Sequence, residues 1–152
     1  IPMTNDQIPK TACQHNLACW RNQPYLGFGA GAHSYFGGRR WHNVLSPVEY
    51  VARLNVKVGP HAHPPSPATE KVEDIDRATE MAETMILGLR LVEEGVGFEG
   101  FGRRFGKRLE SLYEKGLREL RELGLVEVTA ERVRLTPRGR LLGNEVFERF
   151  LP

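Results

Sequence analysis

Apolar or small residues recur at Val72, Ile75, Thr79, Ala82, Ile86 and Leu89. Alternating steps of three and four put them on one helix face. The spacing predicts a long amphipathic helix from Glu70, stopped near Gly95. Phe98, Phe101 and Phe105 predict a short helix ended by Gly106. A further helix is expected from about Lys107 to Leu123, with Leu109, Leu112, Gly116, Leu120 and Leu123 inward and Gly124 as its stop. The period then changes to two. Leu125–Thr129 and Arg132–Thr136 alternate around Ala130-Glu131, which predicts a β-hairpin half buried through Val126, Val128, Val133 and Leu135. Thr136-Pro137 is a helix start, a capping hydroxyl followed by proline at the first helical position. The last helix presents Leu142, Val146 and Phe150. Helix, helix, hairpin, helix is the winged-helix plan.

The earlier part has a weaker pattern. Pro24 to Ala32 predicts a strand that runs into a glycine-rich turn, where missing side chains let the backbone pass close to a ligand. From Gly59 to Pro67 there are four prolines in nine residues, which excludes helix and central strand and marks a linker. The expected division is therefore residues 1–65 and residues 66–152. With one convincing strand and no complete core, the first part is expected to be the end of a larger domain whose beginning is absent.

The net charge of +2 over 152 residues is too small to argue for nucleic acid. It conceals an asymmetry of +4 over residues 1–65, −5 over 66–95 and +3 over 96–152. Two cysteines exclude both a four-cysteine zinc site and a three-cysteine iron–sulfur motif within the chain, and make a reducing cytoplasm the expected compartment. No apolar run approaches the ~20 residues of a membrane span, and the start has no signal-peptide core.

Several residue groups are candidates for chemistry. Gly27-x-Gly29-x-x-Ala32 matches a loose dinucleotide fingerprint, but His33 to Gly38 is a weak helix opening, and a helix must follow the turn to hold pyrophosphate. Cys13, His15 and Cys19 lie within seven residues and, with His33, suit zinc, copper or haem iron, at a spacing foreign to structural zinc. The other reading is a hydrogen-bonded histidine beside two packing cysteines. His61 and His63 fall in the proline-rich linker, where an exposed flexible pair is expected. Lys107, Arg108, Lys115, Arg118 and Arg121 hint at a DNA-recognition helix. The interleaved Glu110, Glu114, Glu119 and Glu122 make an ordinary solvated face the simpler expectation. Ser34 beside His33 is a sequence neighbour, and no nucleophile–base pair stands out.

Three stretches together resemble one family. They are His15-Asn16-Leu17-Ala18-Cys19-Trp20; Tyr25 to Ser34 with Gly38-Arg39-Arg40-Trp41-His42-Asn43; and Glu83-x-Met85-Ile86-Leu87-Gly88-Leu89-Arg90 with Gly95-Val96 and Phe101-x-x-x-Phe105-Gly106. In this order and spacing they resemble the C-terminal part of the radical SAM proteins related to oxygen-independent coproporphyrinogen III oxidase, in the haem-chaperone (HemW-type) branch. The resemblance implies an N-terminal partial barrel with a Cys-x-x-x-Cys-x-x-Cys motif, a 4Fe–4S cluster and S-adenosylmethionine in the full-length protein. That motif is absent here, so S-adenosylmethionine cleavage is not expected of this chain. It also implies a haem-binding His-Asn-x-x-Tyr-Trp motif, whose histidine maps to His15 and whose tryptophan maps to Trp20. Cys19 takes the tyrosine position and puts a second possible iron ligand, a thiol, beside His15. By the same resemblance Gly29, Gly31, Ala32 and His33 match a region near S-adenosylmethionine.

Physical chemistry adds expectations to that motif. Imidazole is a good axial ligand for haem iron. Trp20, Tyr25, Tyr35, Phe36 and Trp41 would supply flat apolar surface, and Arg39 and Arg40 would pair with propionates. The resulting fold expectation is α/β: the C-terminal edge of a partial (β/α) barrel, then a winged-helix-like cap with a β-hairpin. The functional expectation is haem binding and closure of the barrel. The partners would be haem, the remaining N-terminal radical SAM portion and a haem-recipient protein, with no nucleic acid and no transmembrane segment. Two alternatives are a winged-helix DNA-binding regulator and a protein-interaction module without ligand.

Overall fold

The computed structural model describes residues 13–55 and 65–152. Most of the proline-rich linker, with His61 and His63, lies outside the described residues. The element order is α1 (Gln14–Trp20), β1 (His33–Phe36), β2 (Arg39–Asn43), α2 (Pro47–Leu54), β3 (Thr69–Asp74), α3 (Arg77–Leu89), β4 (Val96–Gly97), α4 (Phe98–Phe105), α5 (Leu109–Leu112), α6 (Glu114–Glu122), β5 (Val126–Val128), β6 (Arg132–Leu135), α7 (Pro137–Leu141) and α8 (Gly143–Glu148). The class is mixed α/β. Two compact units form: a strand unit, Gln23–Arg77, and a helical unit that joins residues 13–22 with Ala78–Pro152. The division expected at residue 65 thus falls elsewhere, and α1 belongs with the later helices.

In the strand unit, β1, β2 and β3 make an antiparallel sheet in that order. Gly37 and Gly38, at φ 60 and 73, close the β1–β2 hairpin, where a tight turn needs positive φ at both positions. The strand expected at Pro24–Ala32 is only a bridge from Tyr25 to Tyr35; the regular strands come after the glycine turn. Residues 70–74, expected to open the long helix, lie instead in β3, with Val72 opposite Trp41. The 3–4 spacing of Val72 and Ile75 was coincidental, because pairing with β2 satisfies this backbone and α3 waits until Arg77. The sheet is antiparallel throughout, whereas a (β/α) barrel edge would supply parallel strands.

In the helical unit, β4 pairs with β6 and β6 with β5. The core gathers Met85 and Leu89 from α3, Phe101 and Phe105 from α4, Leu109, Leu117 and Leu120 from α5 and α6, Val133 from β6, and Val146 and Phe150. The helix expected over 107–123 breaks at Tyr113, at φ −113 and ψ 24. The break rotates the inner face: Leu117 is buried, while Leu112 and Leu123 are exposed. Tyr113 meets Phe150 edge-on at 5.2 Å between ring centroids, and burial raises its phenol pKa above the ordinary value. Gly106 and Gly124 do end helices, at φ 64 and 68. Thr136 caps α7 by accepting from Gly139 N at 3.0 Å. A Cβ on Gly139 would overlap the Leu125 carbonyl oxygen, so α7 packs directly on that backbone. Gly139→Ala is expected to cost about 1–3 kcal/mol, measured by urea unfolding at unchanged m-value.

Candidate functional site

The histidine motif forms α1. His15 and Cys19 share one face a turn apart, with Sγ 3.9 Å from Nε2, and His15 is exposed. Cys13 is the N-terminal flanking residue and makes no side-chain cap. Both cysteines are free thiols. Among the described residues no three of His, Cys, Asp and Glu come together as a metal site, so the wider set of Cys13, His15, Cys19 and His33 is not assembled. The remaining pair gives one accessible imidazole with a thiol at its side.

A seven-residue helix is too short to stand alone, and polar side chains from far along the chain hold α1 in place. Arg21, just past α1, makes a two-pronged ion pair with Glu94, at 2.9 and 2.7 Å. Donation to the Glu94 carboxylate raises the Arg21 pKa, against the lowering effect of burial. Asn22 is buried at φ 49 and donates to Thr84 Oγ1 at 3.2 Å. Arg104 of α4 pairs with Glu80 at 2.7 Å and donates to the Arg21 carbonyl at 3.3 Å. None of these tethers was visible in the sequence, since ion pairs 24 or 73 residues apart have no period. The only local hint was the run of polar Arg21-Asn22 directly after the motif. A double-mutant cycle on Arg21→Ala and Glu94→Ala should give a coupling of about 1 kcal/mol that shrinks with salt, because both side chains keep partial solvent access.

Trp20 ends α1, 38% exposed, with the Arg90 guanidinium 5.8 Å from its ring centroid. Of the other aromatic residues expected to face a macrocycle, Tyr35 and Trp41 are buried in the strand unit, whereas Phe36 is exposed and Tyr25 half-buried. At 3% and 5% exposure those two rings offer no face to a ligand.

The glycine turn belongs to the strand unit. Gly29 and Gly31 have φ 104 and 68. Gly27 N donates to Ser34 Oγ at 3.0 Å, Gly29 N to the Tyr50 hydroxyl at 3.1 Å, Gly31 N to Val44 O at 2.9 Å and Ala32 N to Gly29 O at 3.3 Å. Asn43 clamps the turn through Gly29 O at 2.9 Å. These N–H groups are spent inside the fold, and a strand follows the turn, so the dinucleotide fingerprint is not a phosphate cradle here. His33 pairs across the hairpin with His42, ring centroids 5.4 Å apart, and His42 Nδ1 lies 3.8 Å from Glu70. Arg39 stands opposite Asp74 and Arg40 opposite Glu73 on the β2–β3 ladder, with Arg40 over the Tyr35 ring at 5.8 Å. Opposite charges across a ladder stabilise it by ~0.2–1 kcal/mol, a structural role for both arginines. His15 with Trp20 and Arg39 with Arg40 belong to different units.

The family model described as the HemN C-terminal domain matches residues 75–142. The heme chaperone HemW of Bacillus subtilis (strain 168) is 39% identical over 138 residues, covering 91% of this chain and 34% of that protein. The heme chaperone HemW of Lactococcus lactis is 33% identical over 151 residues, covering 98% of this chain and 36% of that protein. The solved structure of coproporphyrinogen III oxidase (HemN) from Escherichia coli, described as a radical SAM enzyme, aligns with a TM-score of 0.56 at 19% identity, over 84% of this chain and 28% of that one. The latter likeness is one of fold. The chain spans about a third of the length of the curated relatives it matches. A DNA-binding regulator finds no support among them.

Proposed function

The chain belongs to the coproporphyrinogen III oxidase-like radical SAM family, in its haem-chaperone branch, and on that premise we propose that it captures haem as the C-terminal part of such a protein. The observation that carries this reading is α1: an exposed imidazole on a short helix whose following Arg21 and Asn22 are held by Glu94, Thr84 and Arg104, in the segment where the resemblance puts the haem motif. His15 would supply the imidazole to the haem iron, Trp20 would offer its indole to the macrocycle, and the Cys19 thiol lies beside that imidazole. Arg39 and Arg40 stand opposite Asp74 and Glu73 on the β2–β3 ladder and take no part in haem capture in this reading.

The 4Fe–4S cluster does not fit this chain, because its two cysteines fall short of three ligands. No step is assigned to it or to S-adenosylmethionine, both of which belong to the full-length protein. Toward S-adenosylmethionine this stretch offers the exposed His33 imidazole, since the N–H groups of Gly29, Gly31 and Ala32 and the carbonyls of Gly29 and Ala32 are hydrogen-bonded within the strand unit. The helical unit is winged-helix-like, with β5 and β6 as the wing, and serves as a cap. The strand unit meets a partial barrel supplied by the N-terminal radical SAM portion. The compartment is the cytoplasm, where the two thiols stay reduced; no helix among the described residues is long and apolar enough to cross a membrane. A recipient protein takes the haem onward.

Haem titration tests the reading. A sharp Soret shift that saturates at one haem per chain is the expected result. Salt-dependent retardation of duplex DNA without any Soret change would favour the regulator instead, and no response to either would leave a protein-interaction module.

A further inference from the structure

The helical unit carries an open cavity of about 520 Å³ between the end of α3, α7 and α8. That volume lies within the ~300–1,000 Å³ of ordinary small-molecule sites. Leu142 and Phe147 give it apolar wall, and Arg90 and Arg140 line it from two sides. Arg90 is also the link to α1: its guanidinium carbon lies 4.9 Å from the Phe147 ring centroid and 5.8 Å from that of Trp20. A guanidinium held by ring faces keeps its N–H edge for an anion. Among the described residues no carboxylate lies within ion-pair distance of Arg90, and Arg140 has only Glu93, at 4.0 Å, where both side chains are largely exposed. Glu145 also lines the cavity, one carboxylate against two guanidinium groups.

We propose that this cavity holds the carboxylate edge of a porphyrin, with Arg90 and Arg140 as its two anion partners. The inference rests on the haem reading and moves the carboxylate contacts away from Arg39 and Arg40, which face Asp74 and Glu73. An apolar wall, two cations on separate elements and an exposed indole beside one of them suit a flat apolar ligand with two acidic groups. A single phosphate would leave the apolar wall unused.

Iron-free protoporphyrin IX separates this site from iron ligation. The parent, Arg90→Gln and Arg140→Gln are titrated with protoporphyrin IX and with its dimethyl ester, read by quenching of tryptophan emission. Trp20 is the accessible tryptophan, since Trp41 is only 5% exposed. Each glutamine variant should bind the diacid roughly tenfold more weakly, the size of one lost charge-assisted pair. The ester, which loses both charged contacts, should bind the parent more weakly than the diacid binds either single variant, and Arg39→Gln with Arg40→Gln should change nothing. Far-UV circular dichroism checks that the variants fold, as expected for solvent-accessible arginines. Equal binding of diacid and ester by the parent, or parent-like binding by both variants, overturns the cavity assignment. A His15-dependent Soret shift without arginine dependence would sink the cavity and leave the haem reading standing. Arginine-dependent porphyrin binding without a His15-dependent spectrum would do the reverse.

Discussion

Haem titrated into His15→Ala should lose the Soret shift of the parent, with affinity down by at least about a hundredfold, which corresponds to ~2.8 kcal/mol. An exposed imidazole contributes little to packing, so the loss reports ligation and not unfolding. Cys19→Ser gives the contrast. With Sγ 3.9 Å from Nε2, the thiol neighbours the imidazole, and its removal should leave an imidazole-type spectrum. Cys19→Tyr restores the motif of the family and should also retain haem. A His15→Ala protein with the parent's Soret band would end the assignment of this residue.

Phe101→Ala should destabilise the helical unit by about 3–5 kcal/mol, a large share of the ~5–15 kcal/mol of a typical domain. Phe101 is 3% exposed, 4.6 Å from the Phe105 ring and 6.3 Å from that of Tyr113, in centroid distances. Its removal opens a cavity where α4 meets the α5–α6 break. Urea unfolding followed by far-UV circular dichroism measures the effect. Because α1 is held by Arg104 of the same helix, the variant should also bind haem more weakly at temperatures where the parent is fully folded. A loss below ~1 kcal/mol would mean that the ring cluster is not the centre of this core.

The helical unit was legible where its signals were local. Phe98, Phe101 and Phe105 fell on one turn spacing, Gly106 and Gly124 stopped helices at positive φ, and Thr136-Pro137 opened α7 with the expected cap. Alternation located β5 and β6 within a residue at each end. Residues 70–74 read as helix along the chain but fold as strand, because Val72 and Ile75 satisfy a helical step while Val72 also pairs opposite Trp41, and only the β2 partner decides between them. It also missed β1 and β2, where His33-Ser34-Tyr35-Phe36 offers one buried pair between exposed residues and no clean period.

By itself the sequence determined the family, the helical periods, the chain stops and the motif that carries His15, since each is written in neighbouring residues. Only the tertiary structure decided that α1 rides on the helical unit, that Arg39 and Arg40 face carboxylates, and that Arg90 joins Trp20 to a cavity. Those facts depend on side chains dozens of residues apart in the chain, and their meeting is fixed by packing and by the need to pair buried polar groups, which leaves no repeat for a linear reading to find.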